Sequence, residues 1–433
     1  KTNWKTSSDS EVILEAFVAW GIDFVHQLNG MFAIAIYDKK EDKLFLFRDR
    51  MGIKPLFYYL NQNDFAFASE TKSLLKLPIQ KSINRQALVD YFHLEYIPNG
   101  QSIFNNIKKL KKGHYLIYCK DYGIKIKNYY DLKEKITVQK SDPCELNDRL
   151  KKAVNYRKIS DVPIGAFLSG GTDSSMICSL FQKKSAEPIN TFTIGFEEKT
   201  YDESFYAEKV SSILNSNHHL KNISNTLNLE SIIEKVERFD EPFAAPSLLP
   251  TCVVTRFAKR KVTVAMSGDG GDELFMGYGY YKWYDRLSVI NKYSSSFGFY
   301  ILKQLLQLGN NKSIRVARMF NTTDNIKYWH NTWSEEQYMF SLKEISNLIL
   351  RPENTNCSLI NEWKKIDSLD IHHYEKIALF DLNYYLPDNL LYKMDIASMS
   401  SSLEVRVPLL DHEFVEYAIN IQIEKKKRER KKK

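Results

Sequence analysis

No apolar run in this sequence is long enough to cross a bilayer, and the opening residues, Lys1 to Ser10, are too polar for a signal peptide. Membrane anchoring and secretion are not expected, and the reading is a cytoplasmic protein. Cysteine is scarce: Cys119, Cys144, Cys178, Cys252 and Cys357 are odd in number and lack metal-ligand spacing, which argues against a disulfide framework or a thiolate metal centre. No internal repeat is visible, so a solenoid or propeller is set aside. Excess base is missing too, outside one place. The formal charge is +8, but the tail Lys425 to Lys433 holds eight bases and one acid, leaving a nearly neutral body. A basic run of this kind reads as a solvated, disordered tail, and no nucleic-acid partner is expected. What remains is ordinary globular composition, 43% hydrophobic and 26% charged over 433 residues, enough for two or three domains.

One stretch organises the rest: Ala166-Phe167-Leu168-Ser169-Gly170-Gly171-Thr172-Asp173-Ser174-Ser175. Apolar residues before it (Val162, Ile164, Ala166) suit a buried parallel strand, and those after it (Met176, Ile177, Cys178, Leu180, Phe181) suit a helix packed on the sheet. Strand, tight turn and helix start make a phosphate cradle. The glycines let backbone approach a ligand, and Ser174 and Ser175 bring hydroxyls and amides to the positive helix end. The lysine of a Walker A loop is absent and an acid, Asp173, stands in the turn, which suggests nucleotide with magnesium. A second apolar strand, Val262 to Met266, runs into the acidic, glycine-rich Ser267-Gly268-Asp269-Gly270-Gly271-Asp272-Glu273. Two such loops at the carboxyl ends of neighbouring strands would share one crevice.

This pair of loops resembles the pyrophosphate loop and second acidic loop of the synthetase domain of glutamine-dependent asparagine synthetases. Other strings resemble the same family. Asn29-Gly30-Met31-Phe32-Ala33, Arg48 to Leu56 and Ala68-Ser69-Glu70 look like the second half of a class II glutaminase domain, and Ser8-Asp9-Ser10-Glu11 resembles the segment whose aspartate holds the α-amino group of glutamine. Tyr385 to Met399 and Leu403 to Asp411 are similar to the signature that closes the synthetase site, with Lys393, Asp395, Glu404 and Arg406 in matching places. The resemblance implies an α/β chain in two parts. Residues 1–137 would form a partial Ntn-hydrolase (glutaminase) α+β domain, and residues 138–433 a doubly wound parallel-sheet ATP pyrophosphatase domain of adenine nucleotide α-hydrolase type.

The site residues follow from the same resemblance. Leu168, Ser169, Gly170, Gly171, Asp173, Ser174, Ser175, Ser267 and Gly268 would bind the nucleotide, with a backbone group at Ile194 meeting adenine. Asp173 and Asp272 would hold Mg2+. Asp269, where relatives commonly carry glutamate, would orient the substrate or accept a proton from ammonia, with Lys393 and Asp395 as further catalytic residues. Asp9 would bind glutamine. Asp202 and Glu203, beside the same strand end, read as helix-start residues first and ligands second.

The family's N-terminal cysteine nucleophile is missing, because the chain begins at Lys1 and Cys119 lies beyond the resembling region. A chain truncated at the N-terminus and altered at the C-terminus, where the basic tail replaces a phosphate-binding lysine, is expected. Its glutaminase half, as given, is not expected to hydrolyse glutamine. Ala245 stands where relatives often carry aspartate, and Ile396 where many have arginine. Three functions therefore stay open: ATP-dependent amidation of aspartate to asparagine through β-aspartyl-AMP, with ammonia from glutamine; amidation of another carboxylate, on a surface polysaccharide or natural product; and ATP binding without turnover. Expected partners are ATP, the carboxylate, and glutamine or ammonia, with a homodimer left open.

Overall fold

The computed structural model describes residues 4–430 apart from 63, 201, 224–237, 294–295, 310–312, 315, 318–338, 341 and 350–356. The N-terminal part is two antiparallel sheets. The first runs β1 (Ala33–Asp38), β2 (Lys43–Arg48), β6 (His114–Cys119), β7 (Gly123–Asn128), and the second β4 (Phe65–Ala68), β3 (Phe57–Leu60), β5 (Ile107–Lys109). Period-two alternation along β2 divides its side chains. Phe45 and Phe47 join Phe24, Val25 and Tyr115 beneath the helix Asp9–Trp20, while Leu46 joins Leu56, Tyr58 and Leu116 between the sheets. Each such buried side chain contributes roughly 1.5–3 kcal/mol. Ser8 starts the helix by accepting from the Ser10 amide.

The segment between the two parts is pinned to a distant residue. Thr137 N donates to Asn420 Oδ1 at 2.8 Å, and Ser141 N to Asn420 O at 2.8 Å.

The second part holds an all-parallel sheet in the order β10 (Asn217–Ile223), β9 (Asn190–Phe196), β8 (Ile164–Phe167), β11 (Val264–Met266), β12 (Glu404–Arg406). The chain winds outward from β8 in one direction, then returns to place β11 on its other side. That reversal makes the gap between β8 and β11 the switch point of a doubly wound sheet. Helices cover both faces, as continuous apolar strands require. Ala166 and Met266 face Leu150, Val154, Ile177 and Phe181 of helices Leu146–Lys158 and Thr172–Lys183. Ala265 and Val405 face Phe192, Val262 and Ala258, the last on helix Leu248–Lys259.

One feature departs from expectation. The basic tail is helical over Ile423–Arg430 rather than disordered, because Ile421 and Ile423 bury in the core and carry the following turn in with them. Asp381–Leu391 forms a π-helical segment containing Pro387, buried along most of its length. Much of the aromatic region 278–379 is helical where described, and the remainder of it lies outside the described residues.

Candidate active site

The first loop leaves β8 at Leu168, whose amide donates to Phe192 O at 3.0 Å. Thr193 Oγ1 donates to Leu168 O, so the strand end is tied down before the turn begins. Gly170 has φ +82°, and a Cβ there would stand 2.6 Å from Tyr206 Cβ; both the conformation and the space call for glycine. Ser169 N donates to Ser174 Oγ at 3.2 Å, and the two hydroxyl oxygens lie 2.9 Å apart. The loop is folded back on its own helix start. Ser175 Oγ is buried there without a hydrogen-bond partner among the described residues.

The second loop leaves β11 at Ser267, held by Ser267 N to Arg406 O at 2.9 Å. Ser267 Oγ donates to Asp269 Oδ2 at 2.6 Å, which orients that carboxylate. The loops touch through glycine. A Cβ at Gly268 would lie 2.8 Å from Ser174 N, and one at Gly271 would lie 2.5 Å from Asp173 Oδ2. Asp173 therefore sits against the residue that precedes Asp272. Asp272 is exposed, its carboxylate filling the space that a side chain at Gly277 would need. Ile194 lies half-buried on β9, the strand next to β8. Asp202 accepts from Phe196 N at 3.2 Å and Ser204 N at 3.1 Å, a helix-start role.

Lys393 and Asp395, two residues apart on helix Tyr392–Met399, point opposite ways, as the 3.6-residue period requires. Lys393 Nζ donates to Ser247 Oγ at 2.7 Å; burial lowers its pKa, and Asp269 and Glu273 oppose that. It belongs with Asp269. Asp395 instead accepts from Lys54 Nζ of the N-terminal part at 2.7 Å and lines a cavity of about 680 Å³ shared with Asp9, Met31 and Glu70. So Lys393 lies within electrostatic reach of Asp269, while Asp395 and Asp9 line one cavity on the other side of the helix. Glu404 and Arg406 pair with each other at 2.6 Å, and Arg406 also binds Arg157 O, which makes them strand-end supports.

Three partners escaped the sequence reading: Ser247, Glu273 and Lys54. Lys54 and Glu273 belong to stretches that mark the family, yet for none of the three, Ser247 included, does the sequence tell which distant residue it meets. Glu273 is buried, pushed up to about 8 chiefly by loss of hydration, and accepts from Tyr278 Oη.

Residues 145–433 match the asparagine synthase family and residues 1–130 a glutamine amidotransferase domain. The chain belongs to the asparagine synthase family. A relative from Methanocaldococcus jannaschii is 35% identical over 420 residues, covering 93% of this chain and 78% of its own length. Two from Bacillus subtilis, asparagine synthetases (glutamine-hydrolyzing) 1 and 3, are 30% and 32% identical and cover 98% of this chain. The chain spans 67% and 66% of their lengths.

Membership makes this an ATP-using ligase fold joined to an amidotransferase domain. Within that family setting, the two departures can be placed. Ile396 is buried with Phe57, Tyr59 and Tyr392, a core position. Ala245 is also buried, its carbonyl accepting from Leu248 N at 3.0 Å. The acidic pair suits magnesium: Asp173 rests on the second loop and Asp272 is open to solvent. Among the described residues no group of three or more metal-ligating side chains assembles, so nucleotide oxygens and water would have to complete the shell, as magnesium prefers.

Proposed function

We propose that the crevice between β8 and β11 carries ATP-dependent amidation of the aspartate side chain. A carboxylate is a poor acyl donor, because its leaving group would be oxide. Attack of that carboxylate on the α-phosphorus of ATP gives β-aspartyl-AMP and pyrophosphate; ammonia then displaces AMP to give asparagine, releasing one proton. The observation that supports this reading most is the close approach of Gly268 to the Ser174 backbone and of Gly271 to the Asp173 carboxylate, which brings the two glycine-rich loops together.

Individual residues take distinct tasks. Ser169 to Ser175 would cradle the pyrophosphate with amides and hydroxyls at the helix start. Magnesium, which Asp173 and Asp272 would hold, supplies neutralisation of the leaving group's charge. Asp269, oriented by Ser267, would position the acceptor or take the proton from ammonia, and Lys393 beside it offers a cation to the developing negative charge. Ile194 would meet adenine through its backbone. Asp9, in the separate cavity, would hold the amino group of glutamine, the source of ammonia.

The deciding experiment follows AMP and pyrophosphate formation from MgATP, aspartate and ammonium. Products that appear only when all three are present support the assignment. Products with a different carboxylate and none with aspartate would transfer the chemistry to that acceptor.

A further inference from the structure

Away from the paired loops, a cavity of about 220 Å³ lies where the N-terminal part meets the π-helical segment. Lys111, Lys112 and His114 approach it from the turn leading into β6, and Asn383 and Asp388 from the other side. Its acids are already engaged. Glu362 accepts from Tyr384 Oη at 2.7 Å and Lys365 Nζ at 2.9 Å; Asp131 accepts from Lys133 N at 3.0 Å; Asp388 accepts from Asn99 N at 2.8 Å. Arg48 directs its guanidinium to the carbonyls of Lys54, Leu110 and Gly52.

Lys112 makes no hydrogen bond or close ion pair among the described residues; its side chain is half-buried, and loss of hydration lowers its pKa to about 7 against the longer-range pull of Asp131, Asp49 and Asp388. Asn383 Nδ2 and Asn99 Oδ1, both buried on the cavity wall, are likewise unpaired. Leaving a buried polar group unpaired costs ~1–3 kcal/mol, and more when it is charged. An apolar occupant would leave every one of these groups unpaired. Water would serve the amides but bring no charge to Lys111 and Lys112, which have no ion pair within 4 Å among the described residues and feel the carboxylates around them only at longer range. An anion with several acceptor oxygens satisfies Lys112 and Asn383 together, and Lys111 at the rim adds a second charge toward it.

We propose that this cavity binds a small phosphate oxyanion, held by Lys112 Nζ and Asn383 Nδ2 with Lys111 at its mouth. The site is distinct from the nucleotide crevice and uses side chains of both parts of the chain, so an occupied cavity ties them together.

Titration calorimetry with inorganic phosphate, at constant ionic strength in sodium chloride, tests it. Phosphate should bind saturably, and Lys112→Gln and Asn383→Leu should each weaken binding by about tenfold or more. Gly268→Val, which blocks the nucleotide crevice, should leave it intact. Tighter binding of glycerol 3-phosphate than of phosphate would support the site and name a phosphate monoester as its natural occupant. Binding lost in Gly268→Val but kept in Lys112→Gln would overturn the proposal. Because Lys112→Gln could unfold, a second measurement uses the unaltered chain: phosphate should slow acetylation of Lys112 several-fold, read by peptide mass spectrometry. Equal acetylation with and without phosphate would also overturn it.

Discussion

Lys54 Nζ donates to Asp395 Oδ1 at 2.7 Å, joining the loop after β2 to the helix whose opposite side carries Lys393. Both side chains are largely buried, so breaking the pair strands a charge. Lys54→Met should cost about 1–3 kcal/mol of stability. Burial raises the Asp395 pKa and Lys54 restrains that rise, so in Lys54→Met the carboxyl climbs further. The variant should therefore lose more stability than the parent as pH rises through the carboxylate range. Asp395→Leu added to Lys54→Met should recover part of the loss. Urea midpoints at several pH values measure all three.

The glycine contacts give a sharper test of the crevice. Gly268→Ala sets a methyl 2.8 Å from Ser174 N, a distance that forces the loops apart. ATP affinity should fall by about tenfold or more while far-ultraviolet circular dichroism stays the same. Undiminished ATP binding would mean that the two loops do not act on one nucleotide.

Asp173→Asn and Asp272→Asn each remove one charge at nearly constant shape. Each should abolish most aspartate-dependent pyrophosphate release, and the double variant should add little, since one metal site is not lost twice. Asp269→Asn should keep ATP binding and slow product formation. Additive losses in the double variant would argue for two independent roles.

Glu273 sets a pH dependence of its own. Its folded pKa, about 8, stands above the ordinary carboxylate range, so between the two values the folded chain holds a proton that the unfolded chain has lost. Stability should fall as pH rises through that window, the opposite of a salt-bridged acid. Glu273→Gln, which cannot ionise, should flatten the slope in denaturation midpoints taken from pH 5 to 9. A slope that survives the change would assign it to another group.

The crevice was legible in the sequence because β8 and β11 are short apolar runs that stop at glycine-rich, acidic loops, and such punctuation survives without tertiary context. Other elements carry no comparable mark. β10 reads Asn-His-His-Leu-Lys-Asn-Ile, polar for a strand because it lies at the sheet edge with His218 and His219 only half-buried. The π-helical turn has no familiar period and contains a proline, which argues for a break. Helix geometry alone would have parted Lys393 from Asp395, but which one faces Asp269 and which faces Lys54 depends on how two distant segments dock. The tail's helix was hidden for the opposite reason: its composition speaks of solvent, and Ile421 and Ile423 decide otherwise.

The order of strands across the parallel sheet also bears on the birth of the protein. β8 is made before the other strands of its sheet yet ends at the centre, and its neighbour β11 is held through Ser267 to Arg406 of β12, far along the chain. During synthesis the pyrophosphate turn emerges long before the strand that anchors its counterpart. A ribosome-bound intermediate ending before Arg406 thus presents half a crevice, with the second loop lacking its tether. Long-range pairing of this kind forms late and slowly. Any help that nucleotide gives to folding should therefore begin only after translation has passed β12.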